Sequence, residues 1–364
     1  MEDHRVRILF LNQYFPPDPA PTGILFRELG DFLRGQGHEV DYVCSRQKYR
    51  SATKNQGRLV REMSALGSIF LKGLNARRPD VIISGSSPPC LLVVATLLAM
   101  RHRAKSIHWL MDMYPELAVA LDEVKPGFVS RAIEGLMGWA YRRAKLVVAL
   151  DDDMAQRLKK YGVDAEIIPP WVLQSFTVPT APVEPAPEWT WMYSGNLGRA
   201  HEWETLLQAQ ALVEKRGLPM RLLFQGGGPS WPLAKARAVE LNLRQCEWKD
   251  YAPEAELQSS LLRARVLVIT QKPETRGLLW PSKLALAGTL PRPILWVGPA
   301  DSAIARQIGQ LPNAGIFAPG NPGQIADWLR KLHQGGALAP ASRDASAERE
   351  SLLQKWRDFL KSIS

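Results

Sequence analysis

Short apolar runs alternate with helix-period patterns from one end of the chain to the other. In the first half, strands are predicted over 6–11, 40–44, 81–84, 106–110, 146–150 and 165–168. The segment 23–35 reads as a helix with Ile24, Leu25, Leu29, Phe32 and Leu33 on its apolar face. Continuous apolar strands separated by helices of 10–15 residues predict βαβ units and a buried parallel sheet. This is a doubly wound domain over 1–172. Pro179, Pro182, Pro185 and Pro187 then crowd one short segment. Proline removes amide donors and fixes φ, so 173–189 reads as a stiff linker. Beyond it the alternation restarts, with strands over 190–193, 220–224, 246–248, 266–270 and 294–297, giving a second α/β domain over 190–340. In the tail, 341–364, the residues Leu352, Leu353, Trp356, Phe359, Leu360 and Ile363 recur at helical spacing. An amphipathic helix over 345–363 must therefore dock its apolar stripe. Two parallel α/β domains place ligands at the carboxyl ends of their strands, in a cleft between the domains.

Composition narrows the class. The chain has 364 residues, 46% hydrophobic and 23% charged, enough for two buried cores. Its longest apolar stretch, 90–100, is too short for a membrane span, which needs ~20 residues. Charged residues Glu2, Asp3, Arg5 and Arg7 lead straight into the first strand, without the pattern of a cleavable signal. Cys44, Cys90 and Cys246 are odd in number and far apart, fitting neither a disulfide framework nor a zinc cluster. The expected compartment is the cytoplasm.

The formal net charge is +10, and 46–78 holds nine basic residues against the single acid Glu62. Such a patch concentrates an anionic partner, whether phosphate, nucleic acid or acidic lipid. No nucleic-acid module accompanies it, so nucleic acid is not expected. Within the patch, Leu59, Met63, Leu66, Phe70 and Leu74 form a helical stripe, with Arg58, Arg61, Ser68 and Lys72 opposite. The pattern fits a helix packed on its sheet with a solvated outer face. It also fits contact with an anionic membrane surface.

Candidate chemistry sits in the turns after strands. In 192–202 a strand runs into Gly195, Asn196, Leu197, Gly198 and Arg199, with a helix starting near Glu202. Glycines admit close backbone approach, amides at a helix start favour negative charge, and an arginine can clamp phosphate oxygens. The same residues also fit an ordinary turn with a surface arginine. The turn is not G-x-G-x-x-G, and no acid ends the next strand, so a dinucleotide is disfavoured. Pro281, Ser282 and Lys283 open a second apolar helix, again a place for phosphate or simply a capped helix. Gln225 to Gly228 form another glycine turn, weak as a signal alone. In the first domain, the loop 15–23 can present Thr22 and Gly23, and Asp112 follows a strand end, placed to bond a sugar hydroxyl or to end its strand before a turn. Asp151, Asp152 and Asp153 most simply cap a helix.

Taken in order, these segments resemble the retaining, nucleotide-sugar-dependent glycosyltransferases of family 4, which have the two-Rossmann GT-B fold. The residues carrying the resemblance are Asn12 to Pro17, Gly37 to Val40, Asp112 with Tyr114, Pro115 and Glu116, Gly195 to Arg199 with His201 and Glu202, and Pro281 to Lys283 followed by Arg292 and Pro293. The likeness is greatest to the branch that builds bacterial surface polysaccharides, including colanic-acid-type enzymes. The resemblance implies a donor site in the C-terminal domain, with Gly195, Asn196, Gly198, His201, Glu202, Gly227 and Ser282 binding and Arg199 and Lys283 acting on the diphosphate. It places the nucleobase near Trp248 to Tyr251, Gly23 and Asp112 against the transferred sugar and acceptor, and the final helix back on the first domain. It implies a nucleotide-diphosphate sugar as donor, no further cofactor, no metal, and a saccharide or lipid-linked acceptor. Segment 46–78 then contacts an anionic membrane peripherally, on the inner face of the cell membrane.

Three positions depart from the family pattern. The acidic residue that usually holds the nucleotide ribose is Leu286, the glycine before Arg-Pro is Pro291, and the asparagine after the last strand of the first domain is Pro170. An epimerase of the same fold, or a non-catalytic member, therefore stays open at this point.

Overall fold

The computed structural model describes residues 5–18, 20–45, 57–176, 185–335 and 344–363. It divides into two compact units. The first comprises Met1–Gln174, Gly277–Trp280 and Ser346–Ser364; the second comprises Ser175–Arg276 and Pro281–Ala345. Most of the proline-rich linker lies outside the described residues, as does 46–56 of the basic segment.

The first unit carries a six-stranded parallel sheet. Its strands are β1 (Arg7–Leu11), β2 (Glu39–Val43), β3 (Val81–Ser84), β4 (Lys105–Trp109), β5 (Leu146–Ala149) and β6 (Glu166–Ile167), in the order β2-β1-β3-β4-β5-β6. Its helices are α1 (Pro21–Gly35), α2 (Arg58–Leu74), α3 (Leu91–His102), α4 (Glu116–Ala120), α5 (Phe128–Arg143) and α6 (Asp152–Leu158). Proline opens α1 because its missing amide and fixed φ suit a first turn. Asp151 accepts from the Met154 amide at 2.8 Å, so it caps α6 as the sequence suggests.

Alternate residues of β1 feed two cores. Phe10 meets Phe26 of α1 at 5.7 Å between ring centroids, and Phe26 meets Trp109 at 5.2 Å. On the other side Leu9 and Leu11 join Ile82, Ile69 of α2, and Leu91, Ala95 and Leu98 of α3. The C-terminal helix (Ala345–Ile363) joins the first core through Trp356, fully buried with its ring 4.9 Å from Trp109. Leu352, Leu353, Leu360 and Ile363 are buried along the same stripe.

The helix α2 corrects the sequence reading at two points. Leu66, Phe70 and Leu74 are partly buried against the second core, whereas Leu59 and Met63 are 74% and 59% exposed. Lys72 is not on a solvated outer face: its ammonium donates to the Cys44 carbonyl at 2.7 Å, tying α2 to the chain just after β2.

The second unit holds another six-stranded parallel sheet. It is built from β7 (Trp189–Asn196), β8 (Met220–Gly227), β9 (Cys246–Lys249), β10 (Val266–Thr270), β11 (Ile294–Val297) and β12 (Gly315–Phe317), ordered β12-β11-β10-β7-β8-β9. The helices are α7 (Glu204–Lys215), α8 (Trp231–Glu240), α9 (Glu254–Arg263), α10 (Lys283–Ala287), α11 (Ala303–Gly309) and α12 (Pro322–Gly335). β12 is missed by the sequence pattern, since three residues are too few to show a period. β7 and β8 run farther than expected, pairing through Gly195–Gly226 and Asn196–Gly227. The strand order reverses at the β7/β10 boundary, where open α/β sheets bind ligands.

Replacing Trp356 with Ala is expected to lower the stability of the first unit by about 3–5 kcal/mol. A lower urea midpoint at unchanged slope, with the second unit's transition left in place, is the outcome to look for.

Candidate active site

The β7/β10 switch point of the second unit gathers most of the residues singled out in sequence. Gly195 ends the apolar part of β7 with φ of +125°, and a Cβ built there would lie 3.3 Å from Cε of Lys283. The glycine therefore makes room for the lysine. Lys283, first residue of α10, lays its Nζ 3.6 Å from the centre of the Tyr193 ring. That nitrogen is closed off from solvent, although the stem is partly exposed, and it has no hydrogen-bond partner among the described residues. Burial pushes its pKa down from 10.5 to about 7. A cation over an aromatic face, without an oxygen to bond, is a site poised for an anion.

His201 lies beside it, with its ring 5.7 Å from Tyr193. Nδ1 is 3.0 Å from the Thr270 carbonyl, which can only accept, so Nδ1 carries the proton. Burial, reinforced by the nearby Lys283 charge, pushes the imidazole down to about 3. His201 is thus neutral at pH 7, with Nε2 a free-lone-pair acceptor suited to a hydroxyl rather than to a phosphate. Tyr193 donates its hydroxyl to the Asn196 carbonyl at 2.8 Å, fixing the turn from below.

The glycine turns of β7 and β8 are built against each other. At Gly226, φ is +136° and a Cβ would fall 2.2 Å from the Gly195 carbonyl oxygen. At Gly228, φ is +128° and a Cβ would fall 2.4 Å from Oδ1 of Asn196. The Leu197 amide donates to the Gly227 carbonyl at 2.6 Å, and the Tyr251 ring lies over Gly227. Gly198 differs: its φ is not left-handed, and a Cβ there would meet only ordinary contact distances. Arg199, next in sequence, is exposed and makes no ion pair among the described residues. Ser282 is exposed ahead of α10. Glu202 serves local structure, its Oε1 accepting from the Thr205 amide at 2.9 Å and hydroxyl at 3.0 Å, which delays the start of α7 to Glu204. Trp248 is stacked on Phe224 at 4.4 Å, leaving Tyr251, half exposed, as the open aromatic of that loop. Leu286 is buried in α10.

The remaining candidates lie in the first unit. The Asp112 amide donates to Ser86 Oγ at 2.9 Å, and its carboxyl has no hydrogen-bond partner among the described residues. Burial raises that carboxyl from 3.8 to about 6. Ser86 belongs to the loop after β3, whose Ser87 bonds Gln13 after β1 at 2.7 Å. Gly23, in the first turn of α1, presses on the Tyr14 carbonyl, where a Cβ would approach to 2.6 Å. Its role in this structure is to seat α1 on that loop.

Comparison with known proteins fits this geometry. Residues 22–172 match the model of Glycosyltransferase Family 4. A probable glycosyltransferase of Pseudomonas aeruginosa, WbjE, is 27% identical over 310 residues, covering 80% of this chain and 76% of that protein. Sucrose-phosphate synthase from Thermosynechococcus elongatus superposes with a TM-score of 0.73 at 15% identity, covering 99% of both chains. Anabaena HepE in complex with UDP and glucose gives a TM-score of 0.67 at 14% identity, over 98% of this chain and 100% of that one. The chain has the GT-B fold.

In this GT-B fold, Tyr193, Gly226 and Gly228 are the residues shaping the candidate site that the sequence reading undervalued. Their signal was present, as an aromatic two residues before Gly195 and a triple glycine at the end of the next strand. Only the pairing of β7 with β8 gives it meaning. Gly226→Ala is expected to destabilise the second unit by roughly 2 kcal/mol or more, because a methyl group meets backbone and φ is left-handed. Gly198→Ala should stay within about 0.5 kcal/mol. Thermal melts of the two variants make the comparison.

Proposed function

We propose that this protein is a glycosyltransferase that moves a sugar from a nucleotide-diphosphate donor to a saccharide or lipid-linked saccharide acceptor, in the assembly of a surface polysaccharide. The observation that carries the reading is the Lys283 ammonium, shut from water and lacking an oxygen partner, at the strand-order reversal beside Gly195. Two structural neighbours support the donor class: HepE was solved with UDP and glucose, and with UDP-glucose. The lipopolysaccharide outer core galactosyltransferase WaaB, a structural neighbour, supports the acceptor class.

In the proposed reaction the diphosphate lies across the Gly195 turn, with Lys283 and Arg199 on its oxygens. The bond between the anomeric carbon and the diphosphate oxygen breaks, and negative charge grows on the leaving nucleoside diphosphate. The two cations offset that charge as it develops. A bond from the acceptor oxygen forms on the same face of the sugar, retaining the configuration. The acceptor proton passes to the departing phosphate. Neutral His201 takes a sugar hydroxyl through Nε2, and the Gly198 backbone leaves space for the ligand. The first unit binds the acceptor, with the raised carboxyl of Asp112 bonding one of its hydroxyls. Side chains and amides neutralise the diphosphate, without a metal ion or a further cofactor. The enzyme works on the cytoplasmic side, at the inner face of the membrane, where lipid-linked acceptors are met.

A screen of nucleotide sugars for product or hydrolysis tests the reading, with UDP as the first nucleotide tried in calorimetry. Lys283→Ala and Arg199→Ala should each weaken UDP binding about tenfold to a hundredfold, the worth of a charge-assisted hydrogen bond of about 1.5–3 kcal/mol. Unchanged affinity in both variants would overturn it.

The pH dependence has a definite sign. Below pH 7 Lys283 is already charged in the free protein; above it, a proton must be taken up before the anion is bound. Affinity for a nucleotide sugar, whose diphosphate diester does not titrate in this range, should fall from pH 7 to 9 by up to about tenfold per unit. Lys283→Met should flatten the profile.

A further inference from the structure

The exposed large hydrophobic residues of the first unit are confined to one layer. They are Leu59, Val60, Met63 and Leu71 of α2, Leu97 and Met100 of α3, Val124 just before α5, and Phe128, Val129 and Leu136 of α5. None lies on α1, α6 or the described part of the C-terminal helix. The topology explains why these helices share a face. From β2 to β3, β3 to β4 and β4 to β5 the chain steps in one direction across the sheet, and right-handed crossovers put the intervening helices on the same side. Accordingly α2 packs beside α3, and α3 beside α5. Parallel strands also make all three helices run back against the sheet, so the amino-terminal ends of α2 and α5 gather at the carboxyl edge of the strands.

Charge follows the same boundary. Together α2, α3 and α5 hold seven Lys or Arg, of which Lys72 is bonded inward and Arg61 is paired with Glu62, and two acids, Glu62 and Glu134. Glu134 is neutralised by Lys160. By contrast α1 holds two bases and two acids, and the C-terminal helix four and three. At the start of α5, Phe128 and Val129 are 87% and 67% exposed. They are flanked by Lys125 and Arg131, both exposed and in no ion pair among the described residues. Asp122 and Glu123, also exposed, precede this group in the chain.

We infer that the α2–α3–α5 face is a docking surface for an anionic lipid bilayer, with the amino-terminal ends of α2 and α5 inserted at the headgroup boundary. No helix among the described residues is long and apolar enough to cross a membrane, so the contact is interfacial. Phe128 and Val129, set between the exposed cations Lys125 and Arg131, match a surface that offers hydrocarbon beneath negative headgroups. The inference deepens the acceptor side of the reading above. The inserted edge is the one that carries the loops after β1, β3 and β4, which brings a lipid-borne acceptor to Asp112.

The test is co-sedimentation of the full chain with vesicles of phosphatidylcholine containing phosphatidylglycerol, against phosphatidylcholine alone, at low and high salt. The wild type is expected to partition onto the anionic vesicles and to be released by salt. Phe128→Asp with Val129→Asp, and separately Lys125→Glu with Arg131→Glu, should each lower the partition coefficient at least about tenfold. Leu233→Asp, at an equally exposed apolar position of the second unit, should leave it unchanged. UDP affinity of every variant is measured in parallel and should match the wild type. A vesicle result therefore stands or falls apart from the donor reading. The inference is overturned if the wild type ignores anionic vesicles, or if both double variants bind as it does. It is also overturned if light scattering shows a dimer that the Asp pair converts to monomer while vesicle binding persists.

Discussion

An ammonium group withheld from water is the constraint around which the second unit is arranged. Placing the Lys283 nitrogen over the Tyr193 ring, with no oxygen to receive its protons, is unfavourable unless an anion arrives. Everything near it makes that placement feasible. Gly195 omits the side chain that would collide with the lysine stem, and the β8 glycines let a second backbone lie directly against the first. His201 stays neutral and so does not add a second buried charge. The strain is local, and it sits where the strand order reverses, so binding and topology reinforce each other.

The first unit divides its labour between the two faces of one sheet. On the α1 side, Phe10, Phe26, Trp109, Trp171 and Trp356 form a continuous run of ring contacts that holds the C-terminal helix. On the other side, smaller aliphatic residues seat α2 and α3 closely; at Gly73 an added Cβ would lie 2.4 Å from Leu98. The outer surfaces of those helices carry the exposed side chains of Leu59, Val60, Met63, Leu71, Leu97 and Met100. The same sheet thus supports a sealed face and one whose outer helices leave large apolar side chains exposed.

Much of the architecture was legible in the chain. Eleven of the twelve strands announce themselves as apolar runs, and the terminal helix as a stripe from Leu352 to Ile363. Lys283 and the Gly195 turn stood out in the chain as a cation at a helix start and a glycine turn after a strand, and the structure brings the two together. What escaped was relational. Nothing in the triple glycine at 226–228 says that it faces Gly195, because that contact joins segments about thirty residues apart. Helical periodicity in α2 shows that one side is apolar but not what covers it, so the exposed start of the stripe and the internal bond of Lys72 appear only in three dimensions. Glu202 looked like part of a ligand site because a carboxylate capping its own helix carries the same sequence signature.

The discontinuous make-up of the first unit bears on how the protein is made. Residues of the second unit occupy the chain between its sheet and its closing helix. The ring of Trp356 follows the second unit in the chain, yet it completes the aromatic core begun at Phe10. During synthesis the second unit, nearly continuous in sequence, can close while the first still exposes Trp109 to solvent. Throughout that interval the first unit is an incomplete core with aromatic surface uncovered, the condition in which a folding chain is most prone to associate with another.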